Sequence, residues 1–275
     1  MNDAFFVSIV TFVYFFAAFM YLVAFVFRKT GLEKVARFTA LAGLLLHSSA
    51  LIVRWVESYR LGIGHAPLSN FYESMVFFSW SIVFVFFVMK KPYRTSLVGV
   101  VSMFFAFLIL AYVSLSGTVN YRIEPLIPAL QSNWLISHVI SSFLAYACFT
   151  IAFGLSVLYL FKHYAPDGFA RALPDASFLD DATHRIISIG FVLLTVGIIT
   201  GAAWADRAWG RYWGWDPKET WSLITWLVYG AFLHARIARG WTGMKMSLIS
   251  IAGFISVIFT YLGVNYILAG LHSYL

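Results

Sequence analysis

An all-α integral membrane protein with about eight transmembrane helices is the fold this sequence predicts, and three observations predict it. Only 11% of the 275 residues are charged and 61% are hydrophobic, where a soluble domain needs roughly 25% charged residues. The apolar residues run in long unbroken stretches and not in period-two alternation, which selects helices over an outer-membrane barrel. The basic residues gather between those stretches, as orientation in a bilayer requires. The net charge of +7 is therefore read as membrane orientation, not nucleic-acid binding.

The elements follow in order. Eight runs are long enough to cross about 30 Å of hydrocarbon: 4–27, 38–55, 71–89, 96–116, 134–161, 186–205, 221–239 and 247–271. The first follows Met1-Asn2-Asp3 with no basic n-region and is long enough to span, so no cleavable signal peptide is expected. The segments after runs one, three, five and seven hold thirteen of the 19 Lys and Arg residues. The positive-inside rule then places both termini and the loop 205–220 on the extracytoplasmic side. No second domain or short-period repeat interrupts the pattern, so 1–275 reads as one polytopic membrane domain with a Trp-rich outer loop at 204–221. The loop 162–185 is the longest inner segment, with a turn at Pro166-Asp167-Gly168 and a helix start at Asp180-Asp181.

Two helix starts carry capping signatures. Asn70 with Glu73 fits a capping box opening the third span, and Asp216 with Pro217 and Glu219 fits one opening the seventh. Glu73, Asp216 and Glu219 are thus explained by capping, although carboxylates in such a cluster also suit acid–base chemistry. The single cysteine, Cys148, sits inside an apolar run with no CxxC or CxxCH. It reads as a small packing residue.

The stretch WGRYWGWDPKETW, residues 209–221, places four tryptophans in thirteen residues, and Trp204 and Trp226 flank it. The expected topology sorts the histidines by depth. His65, His138 and His272 lie at the outer face, His47 and His234 within spans two and seven, and His163 and His184 at the inner face. Two outer imidazoles level with a shelf of indoles suit a flat metal macrocycle such as haem, whose iron takes one nitrogen on each face. An interfacial belt with no ligand is the alternative. A belt accounts for one or two tryptophans per loop, and poorly for six. A different amphiphile remains a third reading.

Trp209-Gly210-Arg211-Tyr212-Trp213-Gly214-Trp215-Asp216 matches a WGxxWxWD pattern. With Pro217–Trp221, Gly64–Ser74 and the segments around His138 and His272, it resembles the CcsA (ResC-type) branch of the System II cytochrome c maturation proteins over about residues 45–275. The resemblance implies a WWD-motif haem-handling protein. It implies a CcsB-type membrane partner, apocytochrome c as acceptor, and haem b as bound substrate in a bacterial cytoplasmic or thylakoid membrane. The complex would be a holocytochrome c synthase (haem lyase) that forms thioether bonds to CxxCH thiols. His138 and His272 match the axial ligands of the outer haem, and His234 matches an intramembrane histidine that handles haem in transit. Trp209, Trp213, Trp215, Asp216 and Trp221 fall in the haem-contacting motif on the periplasmic or lumenal side. From another class come a b-type cytochrome with His47 and His234 as an intramembrane pair, and a transporter of another amphiphile.

Overall fold

A computed structural model describes residues 3–90, 95–117, 119–165 and 167–267, and every regular element among them is helical. The helices are α1 Asp3–Phe27, α2 Thr30–Arg60, α3 Phe71–Val88, α4 Ser96–Leu115, α5 Asn133–Tyr164, α6 Ala176–Trp209, α7 Pro217–Arg239 and α8 Met244–Ile258. A π-helical turn, Phe259–Gly263, joins α8 to the short α9, Val264–Ile267. Among the described residues, seven helices are long and apolar enough to cross a membrane. The expected seventh span, α7, is not among them. Its 23 residues reach about 34 Å at 1.5 Å per residue, but Lys218, Glu219, Arg236 and Arg239 dilute its apolar stretch.

Several helices, α2, α5 and α6 among them, overshoot the apolar runs that announce them. α2 has 31 residues and α6 has 34, because the i→i−4 ladder continues where side chains turn polar. α6 starts at Ala176, about a turn before the expected Asp180-Asp181. It also runs on to Trp209, so the expected outer loop 205–220 contracts to residues 210–216.

The chain divides into two compact units, Met1–Gln131 and Ser132–Leu275. In the first, α1 packs on α2 and α4, and α3 packs on α4 and α2, closing a four-helix ring. The buried stripe of α1 is Val7, Val10, Tyr14, Ala17, Tyr21 and Ala24, at alternating spacings of three and four. Its other face shows Phe12 at 74% exposure, with Phe15, Phe19 and Phe27 also exposed. An outward face this apolar is what lipid requires.

A polar lock closes the end of this unit where α2 stops and α3 starts. Arg54 Nε donates to Glu73 Oε1 at 2.8 Å, with side-chain exposures of only 4% and 0%. The guanidinium also donates to the carbonyl of Tyr121 at 3.0 Å, and lies 4.9 Å from the Tyr72 ring centroid. Asn70 caps α3 as expected, accepting the Glu73 N–H at 2.9 Å. Glu73, however, reaches Ser69 and not Asn70, taking the Ser69 N–H and hydroxyl at 2.8 Å each. The arginine draws the carboxylate past the position that would close a reciprocal box.

In the second unit α5 packs along α6, α8 packs on α5 and α7, and α7 returns to α6. Small residues of α6 let α5 approach. Gly190 lies under Phe149 and Cys148, and Gly197 under Ser142. Cys148 is buried and free, in a packing position. The same Phe149 ring stacks on Tyr229 of α7 at 3.7 Å.

Candidate functional site

The tryptophans are placed by helix ends more than by loop. Trp204 and Trp209 ride the last turns of α6, which Gly210 ends in the left-handed region at φ 71°. An L side chain is disfavoured there. The turn 210–216 holds Trp213 and Trp215, whose rings meet edge to face at 5.7 Å. α7 then opens at Pro217 with the expected capping box. Glu219 Oε2 accepts the N–H of Asp216 at 3.1 Å and that of Gly214 at 2.7 Å, and Asp216 Oδ1 accepts the Lys218 N–H at 2.9 Å. Both carboxylates hold the turn in shape, and this is the role the structure gives Asp216. Trp215 is the cost of the turn: φ is +56° for a bulky residue, and its ring is 69% exposed. Strain of this kind persists only where the surroundings enforce it.

His138 lies on α5, one turn after Trp134. Its ring stacks on Trp204 at 6.0 Å and 22°, and Trp204 in turn meets Trp209 at 5.0 Å and 60°. His138 Nδ1 is 2.7 Å from the carbonyl oxygen of Gly197. A carbonyl only accepts, so Nδ1 carries the hydrogen, and in the neutral ring Nε2 is the lone-pair nitrogen. One imidazole and two indoles are thereby brought together from α5 and α6. Trp213 adds a buried indole N–H with no hydrogen-bond partner among the described residues. Burial holds the Lys218 ammonium, at the start of α7, down to about pKa 8 against the opposing pull of Asp216.

The other aromatic rings divide by role. Trp221 packs on Phe259 of the π turn at 4.1 Å. Trp226 stacks on Phe191 at 5.1 Å and donates its N–H to Thr195 Oγ1 at 2.9 Å, so it is a packing residue of the bundle.

The remaining histidines separate equally clearly. His272 lies outside the described residues. His234 sits on the exposed face of α7, with the small exposed Ala231 and Ala238 about a turn away on each side. His47 is fully buried in the first unit, with Nδ1 3.2 Å from the Tyr14 hydroxyl. The ring is at 0% exposure, whereas His234 is exposed, so the two histidines differ in their access to a ligand. His65 has both nitrogens near backbone carbonyls, Ala66 at 2.9 Å and Glu124 at 3.0 Å. Among the described residues no three His, Cys, Asp or Glu side chains gather as a metal site. Haem fits such a surface, because it brings four nitrogens of its own and asks a protein for axial ligands and aromatic cover.

Sequence reasoning missed Gly197, Gly201 and the role of Trp204. A signal existed: Gly197 and Gly201 are four apart on α6, with Trp204 three further on, so all three share a helix face.

Fold and site together define a polytopic helical membrane protein with a histidine–tryptophan cluster beside a structured Trp-rich turn. The family model described as Cytochrome C assembly protein matches residues 68–272. The CcsA cytochrome c biogenesis protein of Guillardia theta is 41% identical over 242 residues, covering 80% of this chain and 79% of that protein. The Chlamydomonas reinhardtii CcsA is 44% identical over 237 residues, covering 82% of this chain and 64% of that protein. The solved structure of a cytochrome c haem lyase, CcmF, superposes with a TM-score of 0.69 over 95% of this chain and 47% of its own, at 18% identity. The chain belongs to the cytochrome c assembly protein family.

Proposed function

We propose that this chain presents haem at the extracytoplasmic face and, with a CcsB-type partner, supports its attachment to apocytochrome c. The observation that carries this reading is the His138 imidazole, held by the Gly197 carbonyl with Nε2 as donor nitrogen, on an indole pair beside the Trp-rich turn. His138 and His272 are the axial ligands. Trp209, Trp213, Trp215 and Trp221 cover the macrocycle, with Asp216 and Glu219 shaping the turn that carries Trp213 and Trp215. His234, on its exposed small-residue face, takes haem in transit.

Attachment adds each cysteine thiol across a haem vinyl group. A C–S bond forms, the thiol hydrogen ends on the other vinyl carbon, and no net oxidation occurs. The nucleophiles belong to the apocytochrome, so this chain supplies ligation and orientation and needs no nucleophile of its own. The basic-residue bias supports the outward placement of the Trp-rich turn.

The test is an absorption spectrum of the purified chain with its co-expressed partner. Wild type should be six-coordinate, and His138→Ala and His272→Ala should each give a weaker five-coordinate spectrum. Unchanged spectra in both variants would remove the pair. Orientation is tested separately. A cysteine at Tyr212, an exposed position of the turn, should react with a membrane-impermeant thiol reagent in intact cells while one at Asp167 stays protected, and the reverse pattern would invert the topology.

A further inference from the structure

Gly201 lies inside a 34-residue helix, two turns before its C-terminal end, where glycine weakens helical structure. What it meets is specific. A Cβ at Gly201 would lie 2.6 Å from His138 Nδ1, 2.8 Å from Cε1 and 3.4 Å from Cγ, so all three nearest atoms belong to one imidazole. One turn earlier on the same face, the Gly197 carbonyl accepts from that Nδ1 at 2.7 Å. Three residues later, Trp204 covers the ring face at 22°. The ring is thus fixed along an edge by two glycines and across a face by an indole.

We infer that Gly201 and the Gly197 carbonyl form a seat that holds His138 in its Nδ1–H form before haem arrives, so that Nε2 is already the iron-binding nitrogen. Gly201 is a positioning residue, acting only through His138. The inference rests on the proposed ligand role of His138 and adds to it what sets the ring's tautomer and donor strength. A hydrogen bond from the far nitrogen to a carbonyl makes an imidazole a stronger donor, as for metal-bound histidines generally. A stronger donor favours ferric iron and lowers the haem's potential.

Gly197-Ile-Ile-Thr-Gly201 is also a GxxxG pattern, which serves close helix packing by itself. Gly190 and Gly197 fit that plainer role, since their nearest neighbours are Phe149, Cys148, Ser141 and Ser142. Gly201 differs in having the imidazole as its nearest contact. In a packing role its substitution would harm the fold whether or not His138 is present. In a seating role the harm disappears when the imidazole is removed.

The first measurement needs no haem. Nitrogen-15 spectra of the haem-free chain with labelled histidine, in which His138 is identified by its loss in His138→Ala, should show a neutral Nδ1–H ring. Gly201→Ala should move that signal toward the Nε2–H form. An Nε2–H ring in the wild type overturns the inference. In the haem-loaded complex, Gly201→Ala should shift the midpoint potential positive and weaken the six-coordinate spectrum, and an unchanged potential overturns the inference. Gly201→Ala placed in the His138→Ala background should insert and melt like His138→Ala alone. Instability there assigns Gly201 to packing and overturns the seat. Imidazole added to His138→Gly tests the underlying reading separately. If it fails to restore six-coordination, His138 is not the ligand, while the nitrogen spectra still report on the seat.

Discussion

The two four-helix units use the same polar residue types in partly different ways. In the first, Arg54 and Glu73 neutralise each other away from water, His65 has both nitrogens near backbone carbonyls, and His47 is sealed at 0% exposure. In the second, His138 is half-buried on an indole pair, Trp215 is exposed on strained backbone, and His234 faces outward. The first unit pairs Arg54 with Glu73 internally and the second pairs Arg236 with Asp180 in the same way, but the second also presents His138 half-buried and His234 exposed. Histidine count therefore carries little information about a haem site, whereas a donor nitrogen held in an accessible ring carries a great deal.

The sharpest way to break this comparison is to open the closed unit. Glu73→Ala leaves the Arg54 guanidinium buried without its carboxylate, and losing one partner of a buried pair costs about 3–5 kcal/mol. The variant should accumulate poorly in membranes and melt or proteolyse early in the first unit. His138→Ala should lose haem while melting near wild type. If Glu73→Ala folds normally and loses only haem, the Arg54–Glu73 pair belongs to the functional site and the contrast between the units fails.

The second test stays within one residue type. Losing one indole from a haem face should cost about 1–3 kcal/mol of binding. Trp209, Trp213 and Trp215 replaced together by alanine should strip haem and leave insertion intact. Trp226→Ala removes a ring packed on Phe191 and bonded to Thr195, so it should lower stability and spare haem affinity. Normal haem loading in the triple variant would favour an interfacial belt instead.

The helical class and most span centres were legible because apolar run length is a one-dimensional signal. The Asp216–Glu219 cap was legible for the same reason, since a capping box is written within four residues. The helix ends were not, because polar residues at headgroup depth extend a helix without extending its apolar run. Glu73 shows the second limit: its actual partner, Arg54, is 19 residues away on another helix, and no local pattern announces it. Gly201 shows the third. A glycine in an apolar helix looks like generic packing until the atom above it is known to be an imidazole nitrogen.

The proposed transit role separates His234 from His47. If the exposed face of α7 holds haem first, as proposed, His234→Ala should lower haem per protein at the site around His138, measured with the partner co-expressed. His47→Ala should leave haem loading near wild type and cost some stability, through the lost Tyr14 contact. Equal haem loss in both would mean that the first unit opens to haem in the membrane. Full loading without His234 would leave that residue no transit role.

The smallest effect expected is electrostatic, and its sign can be worked out. Burial lowers the Lys218 ammonium from 10.5 to about 8, with Asp216 pulling the other way. Between about pH 8 and 10.5 an unfolded chain keeps a proton that the folded chain has released, so this group makes folding more favourable as pH rises through that window. Haem binding should run in the opposite direction. Its propionates are anionic, and the positive charge near the Trp-rich turn fades as pH passes 8. Raising pH from 7 to 9 should weaken haem binding by up to about 1 kcal/mol, roughly fivefold in Kd. Lys218→Arg keeps the charge and should hold affinity across that range. Lys218→Gln should bind weakly at pH 7 and show no further fall. A fall of equal size in Lys218→Gln would assign the titration to another group, and would leave the turn's aromatic rings, not its lysine, as what the second unit offers to haem.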